Sequence, residues 1–269
     1  MIKITKKVEF SKHENKMSSV ANTSKARELY YSYKSLNVKF LLEKRFSWMN
    51  KFIKNSDKGI EVGSGAGFSK DFIDNKNLKL TDLGNDPHLD FKNINAQNTG
   101  FPNDSFDYVI ASNMIHHIPF PMKFFKEMNR ILKKSGKLII FESYCSIAFQ
   151  LITIIMKHEG FDFTVNVWDD EKATSDEHNA WHGNIAVPHL IFDDKFKFNK
   201  NLGNSFKIEF EEFSECFVFL NSGGVTSKTK FIPMNRFFLN LLFLIDNILI
   251  KFFPNIFCMG RKIVLTKIN

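Results

Sequence analysis

The chain has 269 residues, 43% of them hydrophobic and 25% charged; that is enough apolar material for one large domain, and it excludes a disordered or fibrous chain. The net charge of +8 comes from scattered lysines with no dense Lys/Arg block, which argues against nucleic acid as the partner. Cys145, Cys216 and Cys258 are far apart and form no CxxC pair, and the start is too polar for a signal peptide, so a cytoplasmic, reducing location is expected.

Residues 1–24 read as a polar, frayed N-terminus. Residues 25–54 read as a helical segment, with Leu29, Tyr33, Leu36, Phe40 and Leu41 near one face. Residues 55–143 alternate strand and helix. "GIEV" is a strand, and Gly67 to Ile73 a helix start. "LKLTDL", a short "FKNIN" and the apolar "FDYVIAS" are further strands. "PMKFFKEMNRILKK" is a helix with Phe124, Phe125, Met128, Ile131 and Leu132 inward, and "SGKLIIFES" is a turn and a buried strand. Such alternation with near-continuous apolar strands predicts an α/β fold, a mostly parallel sheet covered on both faces.

Residues 144–204 break the alternation and are rich in His, Asp, Asn and Trp, the composition of a functional insertion or lid. Residues 205–269 return to "FKIEFEEF", "ECFVFLNSGG", an apolar helix over Phe237–Phe253 and "RKIVLTKI". In that helix Phe238, Leu241, Leu242, Ile245, Ile248, Leu249 and Phe252 recur at helical spacing, with Asn240, Asn247 and Lys251 on the other face. With Asp246 they interrupt a run already short of the ~20 apolar residues of a membrane span. The expectation is a helix packed on the sheet, in preference to one docked on a membrane.

The most informative stretch is "GIEVGSGAGFSK". A glycine-rich turn after the first strand brings backbone N–H groups to a ligand at the carboxyl edge of the sheet. Phe68 stands where a dinucleotide fingerprint has its third glycine, and no G-K-[ST] follows, so neither phosphate-binding motif is present. Glu61 beside the loop would repel a pyrophosphate by roughly 4 kcal/mol at an effective dielectric of about 20. It suits a ligand carrying an ammonium or sulfonium.

E-x-G-x-G-x-G after the first strand resembles motif I of the class I S-adenosylmethionine-dependent methyltransferases. The stretches around Asp82, "INAQNTGFPNDSFDYVIASNMIHHI" and "EMNRILKKSGKLIIFES" resemble that family's later motifs in order, over residues 59–143. The resemblance implies a Rossmann-like mixed seven-stranded sheet and S-adenosylmethionine as cofactor. Glu61, Gly63, Ser64, Gly65 and Gly67 would form its cradle, and Asp82 would hold the ribose hydroxyls. Asn95, Ala96 and Gln97 would lie at the adenine, and Asn113 and Met114 at the methionine part. Asn95 stands where an Asp is usual, yet an amide oxygen still accepts from the adenine amino group. Lys134-Ser135 replaces the usual Pro-Gly. "KHEGFDF", "NAWHGNIAVPHLIF", "FLNSGGV" and "MGRKIVLTKI" look like a subgroup of these enzymes, some of which accompany cell-surface saccharide synthesis.

Methyl transfer needs alignment of donor and acceptor and, for a hydroxyl acceptor, removal of a proton. His116 and His117 follow the fourth strand; one reads as a general base, or else one caps or packs while the other is solvated. His158 and Glu159 open the insertion and read as a base or a hydroxyl clamp; with Asp162, Asp169 and Asp170 they lack compact ligand spacing, so no metal is expected. Glu142 ends the fifth strand, to bind an acceptor hydroxyl or cap the insertion. Trp181 reads as a stacking platform or a cover for the lid's core, Asn184 as a hydroxyl holder, and Tyr30 as a side chain closing over the cofactor. The expected acceptor is a small polar molecule, first a saccharide or nucleotide-sugar hydroxyl. Two alternatives stand beside it: a secondary-metabolite or lipid-linked acceptor, drawn from the Phe-rich C-terminal region, and a non-catalytic cofactor-binding partner subunit.

Overall fold

Alternate residues of each central strand face opposite sides of the sheet, and here both sides are apolar. The computed structural model describes residues 2–11, 13–16, 21–33, 35–226 and 228–269; Tyr33 is described by its backbone alone, so its expected packing lies outside the described residues. Strands β2 (Gly59–Val62), β3 (Leu78–Thr81), β4 (Phe106–Ser112), β5 (Leu132–Ser143), β7 (Phe206–Ser214) and β8 (Gly260–Lys267) form one sheet in the order β3-β2-β4-β5-β8-β7. The first four run parallel, and β8 lies antiparallel between β5 and β7. Ile60, Val109, Leu138 and Ile263 face one side, where Phe124, Phe125 and Met128 of helix α3 (Pro121–Ile131) cover them. Ile110, Ile139 and Val264 face the other, under α1 (Thr23–Tyr33) and α2 (Leu36–Phe46). Each fully buried side chain of this size contributes about 1.5–3 kcal/mol.

The architecture is the expected Rossmann-like class I arrangement, with six strands in place of seven. The missing strand is "FKNIN". Asn93 adopts φ 55°, which turns the chain out of extended geometry and leaves a single bridge between Phe91 and Thr81. The first helix after the glycine loop is reduced to a 3-10 turn, Phe68–Asp71.

Within the N-terminal segment, two of the described residues are paired. Strand β1 (Lys7–Val8) pairs antiparallel with β6 (Phe161–Asp162) in the insertion, and Gln150 of α4 (Ile147–Met156) bonds to the backbone at Ile4 and Ile2. The insertion continues through α5 (Val187–Phe192) and α6 (Lys195–Leu202), which pack on the α3 side of the sheet.

The C-terminal helix departs from expectation in which face it buries. After α7 (Phe217–Leu220), helix α8 (Arg236–Phe252) turns Leu239, Asp246 and Ile250 inward, while Phe238, Leu241, Ile245, Ile248 and Phe252 are exposed. A short α9 (Pro254–Phe257) then leads into β8. The inward position of Asp246 is set by its carboxylate, which accepts the backbone N–H groups of Cys216, Phe217 and Val218 at 2.9–3.2 Å. Burial raises its pKa to about 6 against those bonds.

Candidate active site

The glycine loop leaves β2 at the carboxyl edge of the sheet. Gly63, Gly65 and Gly67 have φ of 64°, 52° and 68°, a region costly for any residue with a Cβ. A Cβ at Gly63 would also press on Met114 at 3.0 Å, so the end of β4 lies against this loop. Gly65 N–H donates to Asp82 Oδ2 at 2.8 Å, and Gly84 N–H to Asp82 Oδ1 at 3.0 Å. Asp82 therefore stands beside the loop with its carboxylate half-buried and lone pairs still available. Ile94 N–H donates to the Asp82 carbonyl at 2.8 Å, which brings the 94–97 segment to the same crevice. There Asn95 Oδ1 accepts from the Gln97 backbone, Gln97 Oε1 accepts from Phe120 N–H, and Ala96 packs in the cluster that holds Met114. Asn113 has φ 50° and donates its N–H to the Phe141 carbonyl.

Ser64 is spent on the loop itself: its hydroxyl contacts the carbonyls of Glu61 and Thr81. Glu61 also lies behind the loop and not in the crevice. It is buried, its carboxylate takes the Ser69 hydroxyl, and burial raises its pKa to about 8. The loop's outer side is dressed by residues that sequence reasoning did not select. Arg27 donates to the Ala66 carbonyl at 2.8 Å, and His88 Nε2 contacts the Gly65 carbonyl at 2.8 Å. Tyr30, expected over the cofactor, is instead buried against Phe68 with ring centroids 4.6 Å apart.

Beyond Met114 the chain makes a 3-10 turn, Ile115–His117, fixed by Glu142 from β5. The Glu142 carboxylate accepts Met114 N–H at 2.8 Å and Ile115 N–H at 2.5 Å, and meets His116 Nδ1 at 2.6 Å. Glu142 is fully buried, so it orders this turn and does not reach the rim to bind an acceptor. The other nitrogen of His116 lies 3.2 Å from Glu159 Oε2, and His117 Nε2 lies 3.5 Å from Glu159 Oε1. Thus β4, β5 and the start of the insertion converge on one group of two imidazoles and two carboxylates, buried except for a partly exposed His117. Gly183 closes over it: a Cβ there would come within 2.9 Å of His116 and 3.0 Å of both Glu159 and His117.

The two histidines are opposites electrostatically. Burial disfavours charge on His116, but Glu142 and Glu159 overcome it and raise its pKa to about 10. Burial and then the neighbouring His116 lower His117 to about 4. Burial would raise Glu159, yet the facing imidazoles of His117 and His116 hold it well below the usual carboxylate range. His117 Nδ1 is buried with no hydrogen-bond partner among the described residues. The result is a neutral imidazole with one nitrogen facing a carboxylate and the other unengaged, the arrangement of an oriented base. Donor atoms of His116, His117 and Glu159 lie within 4.8 Å of one another, a spacing a divalent ion can bridge, but His116 already has a carboxylate at each ring nitrogen.

His158 is half-buried beside Glu159 and takes no part in this hydrogen-bonded group among the described residues. Asn184 is buried and fully used. Its Oδ1 accepts from the N–H groups of Asp162 and Ala186, and its Nδ2 donates to the carbonyls of Asp162 and Thr174. It shapes the lid and has no lone pair to offer an acceptor. At the insertion lies a cavity of about 280 Å³, with Gly183 and Asn184 on its wall. Lys7, Glu9, Asp162, Ser175, Asp176 and His182 supply its polar wall, and Trp181 is not among its lining residues. Lys7 bonds both Glu9 and Asp162 across β1 and β6. Nothing local in the sequence signals that partnership.

Residues 61–140 match the family described as a methyltransferase domain. Among curated proteins, the chain is similar to a phosphatidylethanolamine N-methyltransferase of Cereibacter sphaeroides, 21% identical over 50% of this chain and 59% of that one. It is also similar to a ubiquinone/menaquinone biosynthesis C-methyltransferase of Rickettsia massiliae, 27% identical over 51% of this chain and 64% of that one. The chain thus spans less than two thirds of either relative. Solved structures that resemble it include SAM-dependent methyltransferases of Archaeoglobus fulgidus (15% identity, 84% and 93% of the two chains, TM-score 0.48) and Methanosarcina mazei (14%, 83% and 98%, 0.46).

Proposed function

We propose that this chain, whose residues 61–140 match a methyltransferase domain, is a class I S-adenosylmethionine-dependent methyltransferase that transfers a methyl group to a hydroxyl of a small polar acceptor, a saccharide or nucleotide-sugar being the first class to test. The observation that carries the reading is His117, held neutral against Glu159 directly after the strand end that touches the glycine loop.

The crevice fits the cofactor. Three glycines with positive φ bring bare backbone to its edge, and the half-buried Asp82 offers free lone pairs to a pair of ribose hydroxyls. Asn95 at the 94–97 turn has an amide for the adenine edge, and Met114 forms the wall between the loop and the histidines. When bound, S-adenosylmethionine supplies an electrophilic methyl group on a sulfonium. The chain's own part is to hold the acceptor in line, shut out water with the Gly183 turn, and take the hydroxyl proton at the His117 imidazole as the new bond forms. His116 and Glu142 position that turn. The polar wall of the lid cavity supports an acceptor rich in hydroxyls.

A second reading is a lipid-linked acceptor. The exposed apolar face of α8, at the same end of the sheet, favours it, and the two curated relatives are named for phosphatidylethanolamine and for ubiquinone and menaquinone. Transfer of labelled methyl from S-adenosylmethionine to panels of sugars, nucleotide-sugars, lipids, amines and phenols separates these readings. A methyl ether on a sugar supports the first and a methylated lipid the second. Turnover confined to nitrogen or carbon defeats hydroxyl chemistry, and cofactor binding with no turnover on any panel defeats catalysis.

A further inference from the structure

Helix α8 carries apolar residues most of the way round, and only part of them has a partner. Leu239, Asp246 and Ile250 face inward against α2, α7 and β7. On the far side Phe237, Leu241, Leu244, Ile248 and Phe252 form a row at helical spacing, with Phe237 71% and Phe252 66% exposed. The row continues onto neighbours: α9, which contacts both α8 and α4, exposes Ile256, and α4 exposes Ile155 at 73%. Exposed apolar side chains therefore sit on three helices linked by contact, in contrast to the singly scattered apolar residues normal on a protein surface.

The exposed charge that these helices and their flanking segments carry themselves has one sign. Residues 216–260 contain four cations, Lys228, Lys230, Arg236 and Lys251, and a single acid, Asp246, which is buried. Residues 144–157 contain Lys157 and no acid. Arg236 pairs with Glu43 and Lys157 with Glu14, while Lys230 and Lys251 have no carboxylate at ion-pair distance among the described residues. Arg236, Asn240, Asn247 and Lys251 line one flank of α8, parallel to the apolar row. A helix lying flat in a lipid interface has this design, apolar toward the acyl chains and cationic at headgroup level. Two copies joined by the same patch would oppose like charges across a two-fold axis. No helix among the described residues is long and apolar enough to cross a membrane.

We propose that the α4/α8/α9 face docks on an anionic lipid bilayer, with α8 parallel to the surface. The same geometry orients the site. β5 carries Glu142 and ends at Ser143 opposite Gly260, where β8 begins just after α9, so the docking face and the catalytic rim share one end of the sheet. Docking needs neither cofactor nor turnover and stands whatever the acceptor proves to be.

The test is co-sedimentation of the full chain with phosphatidylcholine vesicles and with vesicles containing about one third phosphatidylglycerol, an anionic fraction in the range where basic residues near a surface matter. The variants are the exposed pair Phe237→Ser/Phe252→Ser and the charge reversal Lys251→Glu, with S-adenosylhomocysteine affinity and melting temperature checking that they fold. Binding to anionic vesicles at least tenfold above neutral ones is expected. The double variant should lose it at least tenfold, Lys251→Glu should weaken it several-fold, and added salt should weaken it further. Absence of vesicle binding overturns the proposal. So does binding that the folded double variant retains, or a wild-type dimer in sedimentation velocity that the double variant converts to monomers.

Discussion

His117 and Glu61 show the same physics, burial, with opposite consequences. Burial and the adjacent His116 charge keep His117 neutral, with its pKa lowered to about 4, so it remains a proton acceptor well below pH 6.5. His117→Ala should lower kcat by about 10²–10⁴-fold, the range for a lost general base, while S-adenosylhomocysteine affinity stays within a few-fold. The acid limb of the wild-type rate should fall below about pH 5; a limb centred near the free imidazole value would contradict the assignment. On the proposed role of this cluster in proton transfer, dialysis against a chelator should leave turnover unchanged. Glu61 is neutral when folded, its pKa raised to about 8 from 4.5 by burial. Its protonated form is the one the fold favours, so its contribution is complete below pH 4.5 and is lost as pH rises through about 8. Thermal melts of Glu61→Gln should therefore fall less than wild type between pH 5 and 8, and parallel curves would show that Glu61 ionises without cost.

At the scale of elements, Glu142 joins β5 to the histidine turn. Glu142→Ala leaves a buried imidazolium and two backbone N–H groups without their acceptor and should cost about 3–5 kcal/mol in denaturant unfolding. Ser135 sits near the start of β5 with φ 62°, where the family that the sequence resembles usually has glycine. Ser135→Gly should add about 0.5–1 kcal/mol of stability, and a loss would show that its side chain matters there. The central strands were legible in the sequence because strands buried on both faces read as apolar runs. The glycine loop, Asp82 and the histidine pair were legible because they are local motifs. "FKNIN" was misread because composition does not reveal the turn at Asn93. β1 was missed because its partner lies in the insertion, far along the chain. The partners of Glu142 and Asn184 were hidden for the same reason: spacing shows which residues are polar, not which backbone groups they will satisfy. For α8, periodicity identified an apolar face correctly and could not say that much of it would lack a partner in the chain.

At the scale of the molecule, two packed faces and one carboxyl edge divide the labour. The α3 and α1/α2 layers hold the sheet, and the edge gathers the glycine loop, Asp82, the 94–97 turn, Met114 and the histidine cluster under the insertion. The account predicts one position for a ligand there: ribose on Asp82 and the sulfur beside Met114, facing His117. The most direct test is titration calorimetry of S-adenosylhomocysteine into wild type and Asp82→Ala, with NAD as competitor. Each lost charge-assisted hydrogen bond to the ribose is worth ~1.5–3 kcal/mol, so affinity should fall at least tenfold in the variant, and NAD should not displace the ligand from wild type. Equal affinity in the two proteins, or displacement by NAD, would contradict it.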